Sequence, residues 1–200
     1  MSKVQRTTLK NAAIALCLLC IGLALPARAQ SSDSPASSEY LIKAGFIYNF
    51  AKLTEWPAPS FPQTNSPIVI GILGTDPFQG MLDQVLRGKQ VNGREFVVKH
   101  LKWDDDVRGC NILFVSSSEN AHLDQLFRLI KGLPILTIGD TPGFAERGGI
   151  INFVLEDDKV RFHIDVDAAK QADINISSRL LALAKIVPEA ASGGGKAQLT

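Results

Sequence analysis

The segment PIVIGILGTDPF, residues 67–78, joins an apolar run to a turn sequence. Residues 67–73 are continuously apolar and rich in β-branched side chains, which is typical of a strand buried on both faces of a sheet. Asp76 suits the cap of a helix, and Pro77 suits its first position. The segment therefore predicts a buried strand followed by a helix that ends at Gly88.

Strands and helices alternate along the rest of the chain. Further strands are predicted at residues 94–101, 111–116, 134–139, 149–156 and 159–166. Further helices are predicted at residues 40–55, 117–131 and 176–187. The pair Asp157-Asp158 is a two-residue connection of the kind that joins antiparallel strands. We therefore expect an α/β fold, a three-layer α/β/α sandwich with a mostly parallel sheet and a C-terminal antiparallel hairpin.

Residues 1–29 have the pattern of a secretory signal peptide. Three basic residues precede an apolar run at residues 12–25, which is shorter than the roughly 20 residues that a membrane-spanning helix needs. Ala27-Arg28-Ala29 then matches the small-x-small pattern of signal peptidase sites. We expect cleavage between Ala29 and Gln30, and a mature protein in the periplasm without stable membrane insertion.

The remaining chain is expected to form one domain with two polar ends. Residues 30–39 are serine-rich and predict a flexible lead-in, and residues 189–200 predict a flexible tail. The domain between them covers residues 40–188.

Charge and cysteine content restrict the partners of the mature chain. The signal peptide holds four of the 21 basic residues and none of the 20 acidic ones, so the mature chain has 17 basic and 20 acidic residues and a net charge of −3. Nucleic acid is therefore not expected as a partner. The mature chain keeps one cysteine, Cys110, so an intramolecular disulfide is excluded.

The sequence contains no recognisable catalytic, cofactor or metal motif. GILGTDPFQG lacks the Gly-Lys-Ser/Thr of a phosphate-binding loop. No two histidines have the spacing of metal ligands, and no serine lies in a hydrolase motif. We therefore predict a protein that is not an enzyme and that has no cofactor and no metal.

Several polar residues follow directly after predicted strands. In an open α/β sheet, this edge is where ligands bind, so these residues are candidate ligand-binding groups. The alternative is that they cap helices and form turns. The candidates are Asp76, Ser116, Ser117, Asp140 and Thr141.

The order of several long segments resembles the YfiR family of periplasmic proteins. These segments are YLIKAGFIYNFAKLTEWP, GILGTDPF, GKQVNGREFVV, CNILFVSSSE, PILTIGDTPGFAERGGIINFVLEDDKVRFHIDVDAA and ISSRLLALAKIV, and they run from about Tyr40 to Val187. The resemblance implies a non-enzymatic α/β/α regulator that binds the periplasmic sensor region of an inner-membrane signalling protein. That protein would be a diguanylate cyclase, whose repression lowers cyclic di-GMP and disfavours biofilm. The alternative is a small-ligand-binding module that serves a histidine kinase or another receptor.

The contact residues of such a regulator are sought in the late block that carries the resemblance. Phe144, Phe153, Arg161 and His163 are the candidate partner-binding residues. The family's founding regulator is similar to this chain but has further cysteines that form disulfides, which this chain lacks. A homodimer, including one linked through Cys110, stays open.

Trp56 precedes Pro57, which pushes its backbone out of the helical region. The first helix is therefore expected to end near Glu55, with the indole either closing the core or offering a binding surface. Closure of the core is the preferred interpretation.

Overall fold

The structure is a computed structural model that describes residues 35–187. The predicted signal peptide, its cleavage site at Ala29 and Gln30, residues 30–34 of the lead-in and the tail lie outside the described residues. The helices are α1 Pro35–Lys52, α2 Met81–Leu86, α3 Leu123–Leu129, α4 Val166–Gln171 and α5 Ser178–Leu181. The strands are β1 Thr54–Glu55, β2 Ile68–Leu73, β3 Gln90–Val91, β4 Arg94–Leu101, β5 Ile112–Val115, β6 Leu136–Gly139, β7 Ile151–Glu156, β8 Lys159–Ile164, β9 Asn175–Ile176 and β10 Lys185–Ile186. Short 3-10 helices cover Ala58–Ser60 and Ser117–His122.

The main sheet has the strand order β10-β8-β7-β6-β5-β2-β4-β3. The strands β4, β2, β5, β6 and β7 are parallel to one another, and β7 and β8 form an antiparallel hairpin. Asp157 and Asp158 both have positive φ, as a tight two-residue hairpin turn requires. The predicted mostly parallel sheet with a C-terminal hairpin is therefore confirmed.

Each face of the sheet packs against its own apolar core. Ile68, Ile70 and Ile72 of β2 point to a first core, which receives buried residues from α1, α2, α4 and α5. The alternate positions Val69 and Leu73 point to a second core, which α3 covers. The period-two alternation of a strand places these side chains on opposite faces. The three-layer α/β/α sandwich is confirmed.

Helix α1 begins and ends at different residues from those predicted. It starts at Pro35, so residues 35–39 are helical and do not belong to a flexible lead-in. It ends at Lys52, and Thr54–Glu55 pairs as strand β1 with β9 instead of extending the helix. The pairing removes these backbone groups from the helix and hydrogen-bonds them across a second, two-stranded sheet.

Helix α2 begins at Met81, four residues later than the predicted start at Pro77. The Asp76 carboxylate accepts a hydrogen bond from the Phe78 N–H at 2.8 Å, which forms a local turn. Gly80 then has a φ of 83°, a left-handed conformation that breaks the helical path. Asp76 therefore organises a turn before the helix and does not cap the helix.

The predicted C-terminal helix at residues 176–187 is wrong. Only Ser178–Leu181 is helical, and Lys185–Ile186 forms β10, which pairs in parallel with the end of β8. The Val187 N–H donates to the Ile164 carbonyl at 2.9 Å. Pairing with the open edge of β8 satisfies backbone groups at the sheet, and this tertiary contact overrides the local helical pattern.

Gly71 lies at the centre of β2, where no side chain fits. A Cβ at this position would lie 2.8 Å from Cys110 Sγ and 2.8 Å from Leu101 Cδ1. We expect Gly71→Ala to lower the free energy of unfolding by about 1–3 kcal/mol, because overpacking a filled core forces its neighbours to move. Urea unfolding measures the change.

Gly45→Ala is the matched control for this prediction. Gly45 lies in α1, and a Cβ there would meet nothing within 4 Å. Alanine should therefore stabilise the protein by roughly 0.5–1 kcal/mol through its helix propensity. Equal stability of Gly71→Ala and the unsubstituted protein would contradict the described packing.

Candidate functional site

A cleft lies at the edge of the main sheet where the parallel strands end, and we call it the strand-end cleft. It has a volume of about 400 Å³. The N-terminal half of α1, the residues after β5 and β6, and strand β7 form its walls. The lining residues are Glu39, Tyr40, Lys43, Ser117, Asp140, Pro142, Phe153, Val154 and Leu155.

A buried lysine with two carboxylates forms the polar centre of the cleft. Lys43 is only 3% exposed, and its Nζ lies 2.9 Å from Asp140 Oδ2 and 2.6 Å from Glu39 Oε1. The Tyr40 hydroxyl donates to the same Asp140 oxygen at 2.7 Å. A buried charge is stable only when it is paired and hydrogen-bonded, and here each charged group has a partner. This cluster, Glu39, Tyr40, Lys43 and Asp140, fixes the start of α1 to the end of β6.

The aromatic rings around the cluster favour the cation. Lys43 Nζ lies 4.2 Å from the centroid of the Tyr40 ring and 5.8 Å from that of Phe153. The negative face of an aromatic ring attracts an ammonium group. Burial raises the pKa of Tyr40 well above its ordinary value, and the hydrogen bond to Asp140 and the charges of Asp140 and Glu39 raise it further. Tyr40 therefore remains a neutral hydrogen-bond donor.

The arrangement suits binding and structural support better than reaction chemistry. The two carboxylates already engage Lys43, so none of the three charged groups is aimed at an open reacting position. Within residues 35–187, no three His, Cys, Asp or Glu side chains are grouped so that they could hold a metal ion. No helix in the same range is long and apolar enough to cross a membrane.

The five predicted ligand-binding residues divide into three groups. Ser117 and Asp140 line the strand-end cleft. Ser116 caps the following 3-10 helix by accepting from the Ser118 N–H, and Asp76 forms the turn before α2. Thr141 is buried, and its hydroxyl has no hydrogen-bond partner among the described residues. The carboxyl edge of the sheet therefore does bring Ser117 and Asp140 together, while local hydrogen bonding accounts for Ser116 and Asp76.

The four predicted partner-binding residues differ in how far they are exposed. Phe144 is 0% exposed and packs in the second core, and Phe153 is 2% exposed and packs in the first core. Their side chains therefore do not form an exposed surface for a protein partner. Phe153 packs against α1, since its ring stacks on that of Phe50 with the two centroids 5.6 Å apart. Arg161 is exposed on β8. His163 is mostly buried, with Nε2 3.5 Å from Glu156 Oε1.

The sequence pattern does not identify Glu39, Tyr40 and Lys43 as residues of the strand-end cleft. The spacing of Glu39 and Lys43 is the i, i+4 spacing of a helical ion pair, and this signal was present in the sequence. Their partner Asp140 lies far along the chain, and no local pattern indicates that pairing. Only the packing of α1 across the sheet brings the groups together.

Cys110 is buried, with 5% of its surface exposed. Burial in the second core raises the pKa of its thiol. A disulfide between two chains needs an accessible sulfur, so the Cys110-linked dimer is not compatible with this packing.

The indole of Trp56 packs against the first core, and its N–H donates to the Asn111 carbonyl at 3.0 Å. The preferred interpretation, closure of the core, agrees with this contact. The hydrogen-bond partner is the backbone carbonyl of the residue directly before β5.

Comparison with known sequences and structures gives one family. A sequence model of the family described as YfiR/HmsC-like matches residues 40–185. No curated protein matches the chain. Among nine matching chains of solved structures is a conserved domain protein from Vibrio cholerae O1 biovar El Tor strain N16961. It is 12% identical, with a TM-score of 0.49, and the matched region covers 72% of this chain and 59% of that one.

The buried cluster predicts a strong coupling between Lys43 and Asp140. Lys43→Met leaves the Asp140 carboxylate buried without its cation, which should lower the free energy of unfolding by about 3–5 kcal/mol. The double variant Lys43→Met/Asp140→Leu removes both charges and should be markedly more stable than Lys43→Met alone. Urea unfolding at neutral pH of Lys43→Met, Asp140→Leu and the double variant measures the coupling. Lys52→Met, which changes an exposed lysine of the same helix, is the control, and strictly additive effects at positions 43 and 140 would refute the coupling.

The raised pKa of Tyr40 predicts a loss of stability in alkaline solution. An unfolded tyrosine loses its proton near pH 10, whereas folded Tyr40 keeps it, so the folded state binds more protons above that pH. The free energy of unfolding should therefore fall as the pH rises above about 10, and less steeply in Tyr40→Phe.

A spectroscopic test separates Tyr40 from the second of the two tyrosines in the chain. In Tyr48→Phe, tyrosinate absorbance from Tyr40 should rise only together with unfolding. A tyrosinate signal near pH 10 from protein that is still folded would contradict the described environment.

Proposed function

Because the chain belongs to the YfiR/HmsC-like family, we propose that it binds the periplasmic sensor region of an inner-membrane diguanylate cyclase and represses cyclic di-GMP synthesis. Members of this family are periplasmic, non-enzymatic regulators of diguanylate cyclase signalling. The match over residues 40–185 carries the proposal, since it covers nearly all of the described chain. The proposal includes export by the signal peptide expected at residues 1–29, with cleavage between Ala29 and Gln30, which would bring the protein to the required compartment.

The β7–β8 hairpin offers the contact surface that suits such a partner. Leu155 is 56% exposed although it is apolar, and it lies on the wall of the strand-end cleft. Arg161 is exposed on the neighbouring strand, where it pairs with Val154 and therefore projects from the other face of the hairpin. Exposed apolar side chains with arginine nearby are typical of protein interfaces. We call Leu155 and Arg161, which lie near the turn end of the hairpin, the hairpin surface, and propose that it contacts the partner.

The strand-end cleft favours a second candidate function. Ser117 and Asp140 lie on its wall beside the rings of Tyr40 and Phe153, so a small ligand in the cleft would touch α1 and the hairpin together. The protein would then be a periplasmic ligand-binding module that serves a histidine kinase or another receptor. The nature of the captured membrane protein distinguishes the two functions.

The partner is identified by crosslinking in the bacterium that encodes the protein. A photoreactive amino acid at position 155 should trap a membrane protein that has a periplasmic sensor and a cytoplasmic diguanylate cyclase domain. Deletion of the gene should raise cyclic di-GMP, and re-expression should lower it. Capture of a histidine kinase with unchanged cyclic di-GMP would replace the first function with the second.

Substitution of Leu155 tests the hairpin surface itself. Leu155→Lys changes an exposed side chain, so the melting temperature should stay nearly constant, while the affinity for the cyclase should fall by about 2 kcal/mol or more, roughly 30-fold. Leu129→Lys is the matched control, since Leu129 is 64% exposed on α3 beside the other core. Equal affinities of the two variants would show that the partner binds elsewhere.

A further inference from the structure

Asn152 is a buried polar residue whose side-chain amide contacts the backbone around Asp140. It is the second residue of β7 and is only 1% exposed. The partners of a buried amide show which part of the chain it holds in place, because its donors and its acceptor must be used. We propose that Asn152 is a positioning residue of the strand-end cleft, which fixes the backbone at Asp140 and thereby the geometry of the Lys43–Asp140 pair. This role does not depend on the proposed membrane partner.

The regular pairing of β6 ends directly before Asp140. Gly139 is the last paired residue of β6, with Val115 of β5 on one side and Asn152 of β7 on the other. The chain then leaves the sheet, so the buried carbonyl groups at this point need partners other than a neighbouring strand. The side chain of Asn152 supplies hydrogen bonds where the pairing of the sheet stops.

The amide nitrogen of Asn152 bridges the residues on either side of Asp140. Nδ2 donates to the Gly139 carbonyl at 3.3 Å and to the Thr141 carbonyl at 3.1 Å, and also to the Phe153 carbonyl at 3.0 Å. Gly139 directly precedes Asp140, and Thr141 directly follows it. One amide therefore holds the peptide groups on both sides of Asp140, which restricts the direction in which the Asp140 side chain leaves the backbone.

The amide oxygen of Asn152 holds the far end of the same turn. Oδ1 accepts from the Phe144 N–H at 3.1 Å, and this N–H also lies 3.1 Å from the Thr141 carbonyl. Since an N–H faces the amide oxygen and carbonyl groups face the amide nitrogen, the surroundings fix the orientation of the amide. An apolar side chain at position 152 would leave these buried backbone groups without that partner.

The carboxylate of Asp140 makes its contacts with α1 and not with its own turn. Its Oδ2 binds Lys43 Nζ at 2.9 Å and the Tyr40 hydroxyl at 2.7 Å. Within residues 35–187, no hydrogen bond joins this carboxylate to the turn that follows β6. The backbone at Asp140 therefore determines where the carboxylate lies, and hydrogen bonds weaken as their distance and angle become less favourable. Loss of the Asn152 amide should weaken the Lys43–Asp140 pair although both residues remain.

A double-mutant cycle in two backgrounds tests the proposal. The coupling between Lys43→Met and Asp140→Leu is measured by urea unfolding in the otherwise unsubstituted protein and again in Asn152→Ala. We expect the coupling in the Asn152→Ala background to fall to less than half of its value in the first background. If Asn152→Ala does not fold, Asn152→Ser, which keeps a hydroxyl at this position, takes its place in the cycle.

Thr137→Ala is the matched control. Thr137 is a buried residue of β6, and its Oγ1 accepts from the Ile150 N–H at 2.9 Å. The substitution therefore also removes a buried hydrogen bond between a side chain and the backbone, but that hydrogen bond does not involve the residues beside Asp140. Thr137→Ala should lower the free energy of unfolding and leave the coupling between positions 43 and 140 unchanged.

The ionisation of Tyr40 gives a second readout, which a loss of stability alone would not change. Burial raises the pKa of Tyr40, and the hydrogen bond to Asp140 raises it further. In Asn152→Ala/Tyr48→Phe this hydrogen bond should weaken, so tyrosinate should form at lower pH than in Tyr48→Phe, while the circular dichroism of the folded state persists. Unchanged coupling in Asn152→Ala would overturn the proposal, whatever the loss of stability, and so would an equal loss of coupling in Thr137→Ala.

Discussion

The docking of α1 across the sheet is the contact on which the rest of the molecule depends. Its buried face places Phe50 against Phe153 and Phe162 of the hairpin, with the Phe162 centroid 4.9 Å away. The N-terminal end is fixed by Lys43 to Asp140 at the carboxyl edge. The segment after its C-terminal end is fixed by Trp56 to Asn111 at the amino edge. The helix and the segment that follows it therefore connect both edges of the sheet.

The sequence predicts the sheet well because buried strands leave a local signal. The continuous apolar run at residues 67–73 reflects a strand that is buried on both faces. The alternating apolar and polar residues on either side of Asp157-Asp158 reflect strands that are buried on one face. The C-terminal end is less predictable, because residues 176–187 have a helical apolar pattern but pair with partners far along the chain. β9 pairs with β1, and β10 pairs with β8. Local propensity cannot report such pairings, since their free energy depends on sheet edges that exist only in the folded domain.

The candidate site is only partly predictable for the same reason. The expectation that polar residues after strands meet at one edge holds for Ser117 and Asp140, because parallel strands share that edge. It cannot distinguish them from Ser116, whose hydroxyl accepts a hydrogen bond from a backbone N–H of the following 3-10 helix. Aromatic residues are equally ambiguous, since Phe144 in a loop sequence reads as a surface residue but lies in the second core. Burial of a side chain is a tertiary property, and a one-dimensional pattern reports it only within regular strands and helices.

The position of α1 also defines what a regulatory change would require. The cluster around Lys43 and the contacts after α1 are separate polar anchors, and a shift of the helix would break at least one of them. Breaking the Lys43–Asp140 ion pair leaves two buried charges without partners, which costs several kcal/mol. Breaking the neutral hydrogen bond of Trp56 costs less free energy. A movement that releases the amino edge first is therefore favoured over one that releases the carboxyl edge. Since the β7–β8 hairpin packs against α1 through Phe162 and Phe50, a shift of this helix would also move the packing beneath a partner bound at the hairpin.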